Sequence, residues 1–184
     1  MDEKRLIRSS KRLSHCLRHD PARYGVKLDA AGWVEIDVLL AALDARGTRL
    51  TRDELQEIVD GNDKRRFALS ADGRRIRASQ GHSVPVDLGY EPQEPPPVLY
   101  HGTVGSSLDA IFRDGLRAMN RHDVHLSGDV ATALRVGNRR GRPVVLAVDA
   151  ARLHADGAEF RRSANGVWLV AEVPPGYLTV HGGE

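Results

Sequence analysis

The fold is decided by Gly89-Tyr90-Glu91-Pro92-Gln93-Glu94-Pro95-Pro96-Pro97, which places four prolines within six residues. Proline fixes the backbone angle φ and has no amide hydrogen, so this stretch favours extended polyproline geometry and excludes a helix interior or a central strand. The sequence therefore predicts two domains, residues 1–90 and 98–184, joined by a proline-rich linker at 91–97.

Residues 1–90 carry three helical patterns. The first helix is predicted to begin at Ser9 or Ser10, which can cap it, and to end before Pro21 and Gly25. Its apolar face consists of Leu13, Cys16 and Leu17. A second helix is predicted over residues 37–45, because apolar side chains recur there with helical spacing.

A capping box, Thr51 with Glu54, predicts the start of a third helix. Residues 66–70 and 75–79 then alternate around Ala71-Asp72-Gly73, which is a hairpin signal. Three helices followed by a hairpin is the plan of a winged-helix domain. We expect this lobe at residues 1–90.

The second part consists mostly of short strands. They are predicted at residues 98–101, 123–126, 144–149, 166–173 and 177–180. Two helices are predicted between them, at 107–113 with a serine cap and at 129–136 followed by Gly137. This pattern predicts an α+β domain with a cleft between sheets, so the whole chain is assigned to the α+β class.

Arginine dominates the positive charge. Of the 27 basic residues only four are lysines, which leaves 23 arginines, and the formal net charge is +2. A guanidinium group presents a planar fork of donors that can bind two phosphate oxygens at once. The charge is balanced in both halves, so any nucleic-acid contact must come from a local patch.

The single cysteine, Cys16, cannot form an internal disulfide, which fits a reducing cytoplasm. The sequence has no signal-peptide pattern and no run of 18 apolar residues. We therefore expect a cytoplasmic protein without membrane contact.

Two histidine pairs have a spacing that could bind a metal ion: His15 with His19, and His122 with His125. Neither pair has a third ligand nearby in the sequence, so no metal is expected. Residues 137–142 lack the lysine and the hydroxyl residue of a phosphate-binding P-loop.

Two distant stretches combine arginine with histidine: residues 17–21, with Arg18 and His19 at a predicted helix end, and residues 121–127. Arg18 lies at a predicted helix end, where the helix dipole favours a cation. Arg66 and Arg121 lie beside predicted strands, where a charge can simply be solvated. Local sequence alone therefore leaves open, for all three, whether the arginine has a functional or only a structural role. The stretch Leu99-Tyr100-His101-Gly102-Thr103 begins as an apolar strand and ends in a polar corner opened by Gly102. We interpret this corner as a place where the backbone can approach a flat cofactor ring.

Several motifs, in this order and spacing, resemble the NAD-dependent RNA 2'-phosphotransferases of the KptA family over nearly the whole chain. They are Ser14 to Pro21 with Leu17-Arg18-His19, Gly32-Trp33-Val34, Asp63-Lys64-Arg65-Arg66-Phe67, Gln80-Gly81-His82-Ser83, Leu99-Tyr100-His101-Gly102-Thr103, His122-Asp123-Val124-His125-Leu126-Ser127 and Asn165-Gly166-Val167-Trp168-Leu169.

The resemblance implies a fold and an activity. The fold is a winged-helix lobe followed by an ADP-ribosyltransferase-like split β-sandwich lobe. The activity is transfer of an internal RNA 2'-phosphate to NAD, through an ADP-ribosylated 2'-phospho-RNA. The products are nicotinamide, ADP-ribose 1'',2''-cyclic phosphate and RNA with a 2'-hydroxyl. The implied partner is RNA with a 2'-phosphate, such as spliced tRNA, and we expect a monomer.

The resemblance also implies site residues. The catalytic set falls on Arg18, His19, Arg66 and Arg121. The NAD-binding set falls on His101, Gly102, Thr103, His125, Leu126, Ser127 and Val167. Arg139 and Arg140 either reach the NAD pyrophosphate or are solvated loop charges.

Val167 stands where relatives of the ADP-ribosyltransferase type carry glutamate. A phosphate monoester is already anionic, so it can attack without a general base, and the protein's task becomes positioning and charge stabilisation. Because the implied catalytic residues come from both lobes, we expect the reactive phosphate at the domain interface.

Two alternatives remain open. One is an ADP-ribosyltransferase that leaves ADP-ribose on a nucleic-acid phosphate or another target. The other is a winged-helix binding module without activity, but the third predicted helix carries four acidic residues and one arginine, which argues against insertion into a nucleic-acid groove.

Overall fold

The chain forms two compact units, Met1–Gly89 and Tyr90–Glu184. The computed structural model describes residues 2–61 and 65–182, without the side chain of Arg140. The architecture is mixed, with short helices and small antiparallel sheets, and it therefore belongs to the α+β class. No helix within the described ranges is both long and apolar enough to span a membrane.

The first unit opens with helix α1 (Glu3–Arg18). Asp2 caps it by accepting a hydrogen bond from the Arg5 amide across 2.8 Å. The predicted start at Ser9 or Ser10 is therefore wrong: both serines are buried inside the helix. An acidic cap satisfies the free amides of a first turn as well as serine does. The predicted end is confirmed, because Arg18 is the last helical residue and His19 follows as the C-cap.

The remaining elements of the first unit agree closely with the sequence pattern. They are β1 (Val34–Glu35), α2 (Ile36–Asp44), α3 (Arg52–Asp60), β2 (Phe67–Leu69) and β3 (Arg75–Ala78). Thr51 and Glu54 form the predicted capping box, and β2 pairs with β3 as the predicted hairpin. The two-residue strand β1, which is too short to show alternation, was missed. It places β3 at the centre of an antiparallel sheet of order β1-β3-β2.

The core of the first unit gathers the apolar faces of all three helices against this sheet. Its fully buried members include Leu13 and Leu17 of α1, Leu39 and Leu43 of α2, and Ile76 of β3. Cys16 lies in the same core as a free thiol. Burial, reinforced by the negative charge of Asp20, raises the pKa of Cys16 to about 12, so at neutral pH it is a small apolar residue.

Residues 90–182 of the second unit contain eight strands and three helices. In chain order they are β4 (Val98–Val104), α4 (Leu108–Asp114), β5 (Leu116–Arg117), β6 (Val124–Leu126), α5 (Val130–Gly137), β7 (Pro143–Asp149), α6 (Ala150–Ala155), β8 (Arg161–Arg162), β9 (Trp168–Val170), β10 (Glu172–Val173) and β11 (Leu178–Val180). Within the described part of the chain they form two three-stranded sheets, β11-β7-β4 and β6-β9-β8, and the pair β10-β5.

Several details of this unit differ from the sequence prediction, which missed the two-residue strands β5 and β8. The strand predicted at 166–173 is split into β9 and β10, which pair with different partners. Helix α6 was missed, because its six residues are too few for a helical period. Ser107 makes no capping hydrogen bond; a 3-10 turn, Gly105–Ser107, leads into α4 instead.

The proline-rich stretch is attached to the second unit rather than running free. The Gln93 amide donates to the Phe160 carbonyl across 2.8 Å. Pro92 forms an isolated antiparallel β-bridge with Arg161. The Pro97 carbonyl accepts the amides of Ala150 and Ala151 at the start of α6. Residues 92–97 therefore order the entry into β4.

Candidate active site

In the second unit, a chain of hydrogen bonds joins three of the residues singled out from the sequence. The Arg121 guanidinium donates to Nδ1 of His125 across 2.8 Å. The carbonyl oxygen of the same His125 accepts from Nδ1 of His101 across 3.2 Å. His101 lies in β4 and His125 in β6, so this chain connects the two main sheets of the unit.

Strand pairing brings two more of these residues to the same place. Ser127 forms an antiparallel bridge with Tyr100 of β4, through two backbone hydrogen bonds of 2.8 and 2.9 Å. Strand β6 also pairs with β9, and the last pair of this ladder is Leu126 with Trp168. The same register, continued by one residue, puts Val167 opposite Ser127. His101, His125, Ser127 and Val167 are thus neighbours in this unit.

The side chain of Leu126 does not belong to this group. Leu126 is 1 % exposed and lies in the hydrophobic core, because alternation along β6 sends it to the face opposite His125 and Ser127. Only its backbone is available to a ligand. Thr103 shares the strand face of His101 and is itself buried.

Gly102 has a packing explanation that differs from the predicted one. The strand β4 continues through it to Val104 without a corner. A side-chain Cβ at Gly102 would stand 1.8 Å from the Ala133 carbonyl oxygen of α5. The glycine therefore allows α5 to pack directly on β4, and the prediction of an open corner there is wrong.

In the first unit, Arg18 and His19 lie at the end of α1 and are held by the segment around Ser83. The Ser83 amide donates to the Arg18 carbonyl across 2.9 Å, and the Ser83 hydroxyl lies 3.0 Å from Nδ1 of His19. Arg18 is buried, although it carries a guanidinium group, whereas His19 is exposed. The dipole at the end of α1 favours a cation there, and a guanidinium group can bind two phosphate oxygens at once.

Arg66 directly precedes β2 and is half-buried. Its carbonyl accepts the Ser79 amide across 2.9 Å. Ser79 thus binds the backbone of Arg66, and Ser83 binds the backbone of Arg18. These two serines are four residues apart, so the segment between them spans at most about 14 Å. Arg121 belongs to the second unit and is described there with His125.

Other positions considered from the sequence have simpler outcomes. Arg139 is an exposed residue of a 3-10 turn, Asn138–Arg140, while the side chain of Arg140 lies outside the description. Asp63 and Lys64, part of the third motif stretch together with Arg66, lie outside the described residues as well. Within 2–61 and 65–182, no three histidine, cysteine or carboxylate side chains are close enough to hold a metal ion.

Two features were not assigned a role from the sequence. Ser83 was recognised only as part of a motif, and its contact with His19 depends on a fold-back of 64 residues that no local pattern encodes. Asp123, which lies between Arg121 and His125 in the sequence, is half-buried, and burial raises its pKa despite the opposing charges of Arg161 and His122.

Comparison with known proteins identifies the family. The sequence model of the RNA 2'-phosphotransferase, Tpt1 / KptA family matches residues 4–172, which extend across both units. The chain belongs to this family. The expectation drawn from the motifs is therefore confirmed at the level of the family, and RNA 2'-phosphate transfer is its class of activity.

Curated relatives of this RNA 2'-phosphotransferase family match over almost their full length. The probable RNA 2'-phosphotransferase of Streptomyces coelicolor is 60 % identical over 178 residues, which cover 97 % of both chains. That of Burkholderia pseudomallei is 55 % identical over 95 % of both, and that of Nostoc punctiforme is 51 % identical over 97 % of this chain and 98 % of its own.

Proposed function

We propose that this chain transfers an internal 2'-phosphate from RNA to NAD, giving nicotinamide, ADP-ribose 1'',2''-cyclic phosphate and RNA with a 2'-hydroxyl. The observation that carries the proposal is the family match, which covers both units and includes every residue of the candidate site. NAD is the co-substrate that the motif resemblance implies.

We assign the two units to the lobes that the resemblance implies. Three helices and a three-stranded antiparallel sheet in Met1–Gly89 support a winged-helix lobe. Two small antiparallel sheets joined at Tyr100 and Ser127 support an ADP-ribosyltransferase-like split β-sandwich in Tyr90–Glu184.

The residues present fit a dinucleotide co-substrate of this kind. His101, His125 and Ser127 offer polar side chains next to the apolar Val167, and both histidine rings are fixed by hydrogen bonds. NAD would supply an activated ribose carbon whose leaving group is nicotinamide. Val167 is apolar and stands in place of a carboxylate, which supports a nucleophile that needs no general base. The phosphate dianion of the RNA is such a nucleophile.

The protein's own contribution is electrostatic in this proposal. A 2'-phosphate oxygen attacks the ribose carbon as nicotinamide leaves, and the ribose 2''-hydroxyl then attacks the same phosphorus and expels the RNA 2'-oxygen, which takes up a proton. Charge develops on the phosphate oxygens in the second step. Arg18, Arg66 and Arg121 supply fixed positive charge to them, and His19 supplies a hydrogen bond, so both units are required.

The partner is RNA bearing a 2'-phosphate, of which spliced tRNA is one example, and we infer that the protein acts as a monomer in the cytoplasm. The unpaired, buried thiol of Cys16 supports a reducing compartment.

The test is direct. Purified protein is incubated with NAD and an oligoribonucleotide carrying one internal 2'-phosphate. We expect free nicotinamide and RNA lighter by one phosphate, measured by chromatography and mass spectrometry. RNA that gains ADP-ribose and keeps it would instead identify an ADP-ribosyltransferase without the second step. RNA unchanged in the presence of NAD would refute the proposal.

A further inference from the structure

Helix α1 differs in charge from the other two helices of the first unit. Its 16 residues contain six lysine or arginine side chains and one glutamate. Helix α2 contains two aspartates and no basic residue, and α3 contains one arginine and four acidic residues. Among these three helices, positive charge is therefore concentrated on α1, although the unit as a whole is nearly balanced.

The cations of α1 fall into two groups. Arg5 forms an ion pair with Glu54 and donates to the Arg49 carbonyl, and Arg12 donates to Thr48 and to the Arg46 carbonyl. These two arginines attach α1 to the rest of the unit. By contrast, Lys4, Arg8 and Lys11 are exposed, and none of their three side chains has a hydrogen bond or ion pair with any other described residue.

Lys4, Arg8 and Lys11, which we call the α1 stripe, lie on one face of the helix. Their spacing of four and three residues keeps the side chains in line, and the same line continues through His15 to Arg18. At 1.5 Å per residue, the stripe is about 10 Å long and Arg18 lies about 21 Å from Lys4 along the axis. The opposite face, with Leu13 and Leu17, is buried in the core.

We propose that the α1 stripe binds the sugar-phosphate backbone of the RNA substrate beside the nucleotide that carries the 2'-phosphate. This inference rests on the proposed function, because it takes Arg18 and His19 as the place where that phosphate is held. A line of unpaired cations that leads to a phosphate site matches a polyanion whose charges repeat along its length.

The charge distribution selects this helix and this partner. Helix α3 would meet a phosphate backbone with Asp53, Glu57 and Asp60 exposed, so repulsion excludes it. An anionic membrane would need apolar side chains on the same face, and Ile7 is the one exposed apolar residue among the described residues of α1.

The experiment compares two triple variants of the full chain. Lys4→Gln/Arg8→Gln/Lys11→Gln removes the α1 stripe. Arg46→Gln/Arg49→Gln/Arg74→Gln removes three exposed cations of the same unit whose side chains have no hydrogen bond or ion pair within the described part, and serves as the control. Thermal unfolding verifies that both variants fold.

Binding is measured without NAD, by fluorescence anisotropy of a dodecamer RNA with one internal 2'-phosphate. At about 0.1 M salt the stripe variant should bind the RNA about ten- to a hundredfold more weakly than the unsubstituted chain. The slope of log K against log salt should also be shallower by about 2, because each of the three lost phosphate contacts contributes about 0.7 to that slope in single-stranded RNA. The control should stay within about threefold of the unsubstituted chain.

Turnover separates this inference from the proposed function. With NAD, the stripe variant should lose kcat/KM on the dodecamer but keep it on a trinucleotide with the same 2'-phosphate, which is too short to follow the helix. If the unsubstituted chain processes neither RNA, the proposed function fails, while the anisotropy still tests the stripe. Equal RNA binding by both variants would overturn the inference. Binding of the variants to vesicles containing phosphatidylserine tests the membrane alternative. If the stripe variant lost binding only to these vesicles and not to RNA, the inference would also be overturned.

Discussion

Arg121 donates a hydrogen bond to Nδ1 of His125 across 2.8 Å. Because a guanidinium group can only donate, Nδ1 accepts, and the proton of the neutral ring is on Nε2. His125 therefore orients the arginine through its side chain and orients His101 through its carbonyl oxygen. One residue thus links the proposed phosphate-binding arginine to the proposed NAD-binding residues.

The first prediction follows from the acceptor role of Nδ1. His125→Ala leaves the Arg121 guanidinium without this partner and should lower kcat by roughly 10²-fold, in the range of a lost electrostatic contact. His125→Asn places an amide oxygen near the position of Nδ1 and should recover about tenfold of that loss. Steady-state kinetics with NAD and 2'-phosphorylated RNA measure both. Equal activity of the two variants would contradict an orienting role.

The second prediction concerns Ser83 as a positioning residue for His19. Ser83→Ala removes the hydroxyl 3.0 Å from Nδ1 of His19 and should lower kcat about tenfold with little change in the KM for NAD, because the ring loses its fixed orientation. Ser70→Ala is the matched control, since the Ser70 hydroxyl bonds within the hairpin to Asp72 and Arg75. It should affect stability rather than kcat. A rise in the KM for NAD with kcat unchanged would exclude the positioning role.

The third prediction tests the half-buried Arg66. Arg66→Ala should lower turnover by roughly 10²- to 10³-fold while the unfolding temperature changes little, because it removes a transition-state contact and no core volume. Arg65→Ala removes the same charge from the neighbouring exposed position and should retain activity. Turnover and thermal unfolding are measured on both. If Arg66→Ala stays active, its proposed catalytic role is wrong.

The sequence predicted elements with a strong local signal and missed those without one. The Thr51 and Glu54 capping box and the hairpin around Asp72 are encoded within a few residues and are confirmed. The start of α1 was wrong because two caps compete: Ser9 suits a helix start locally, but Asp2 precedes an uninterrupted run of good helix formers. The two-residue strand β1 exists only because β3 lies beside it.

The candidate site was foreseeable as a set of residue types but not as an arrangement. The motifs singled out His101 and His125, yet their connection through a carbonyl oxygen depends on the pairing of distant strands. The packing of α5 on Gly102 was not predicted, because a glycine needed for helix packing and one needed for a ligand look the same in a sequence.

The fourth prediction follows from that packing. Gly102→Ala would force a Cβ to within 1.8 Å of the Ala133 carbonyl oxygen, so α5 must separate from β4. We expect a loss of more than about 3 kcal/mol in the free energy of unfolding, as for severe overpacking. Gly105→Ala, where no atom lies within 4 Å of the added Cβ, should change it by less than about 0.5 kcal/mol. Denaturant unfolding measures both, and similar stabilities would show that α5 does not pack on β4 this closely.

The last prediction concerns Asp129, the N-cap of α5, whose carboxylate accepts the Thr132 amide across 2.7 Å. That hydrogen bond, together with one from the Thr132 hydroxyl, lowers the pKa of Asp129 below its usual value of 3.8. A carboxylate with a lowered pKa in the folded state stabilises the fold fully above the unfolded-state pKa, near 3.9, and this contribution is lost as the pH falls through the folded-state pKa. Asp129→Asn keeps a capping oxygen without a titrating group, whereas Asp129→Ala should cost about 1 kcal/mol at neutral pH.

The difference in unfolding free energy between the unsubstituted chain and Asp129→Asn isolates this one carboxylate, because Glu54 and Asp72 titrate equally in both proteins. That difference should be constant from pH 7 to about pH 5 and should shift against the unsubstituted chain below about pH 4, as Asp129 becomes protonated and its negative charge is lost from the helix N-terminus. Urea unfolding at a series of pH values measures it. A difference that does not change with pH would mean that the cap depends on hydrogen-bond geometry alone and that the charge of Asp129 contributes nothing to α5.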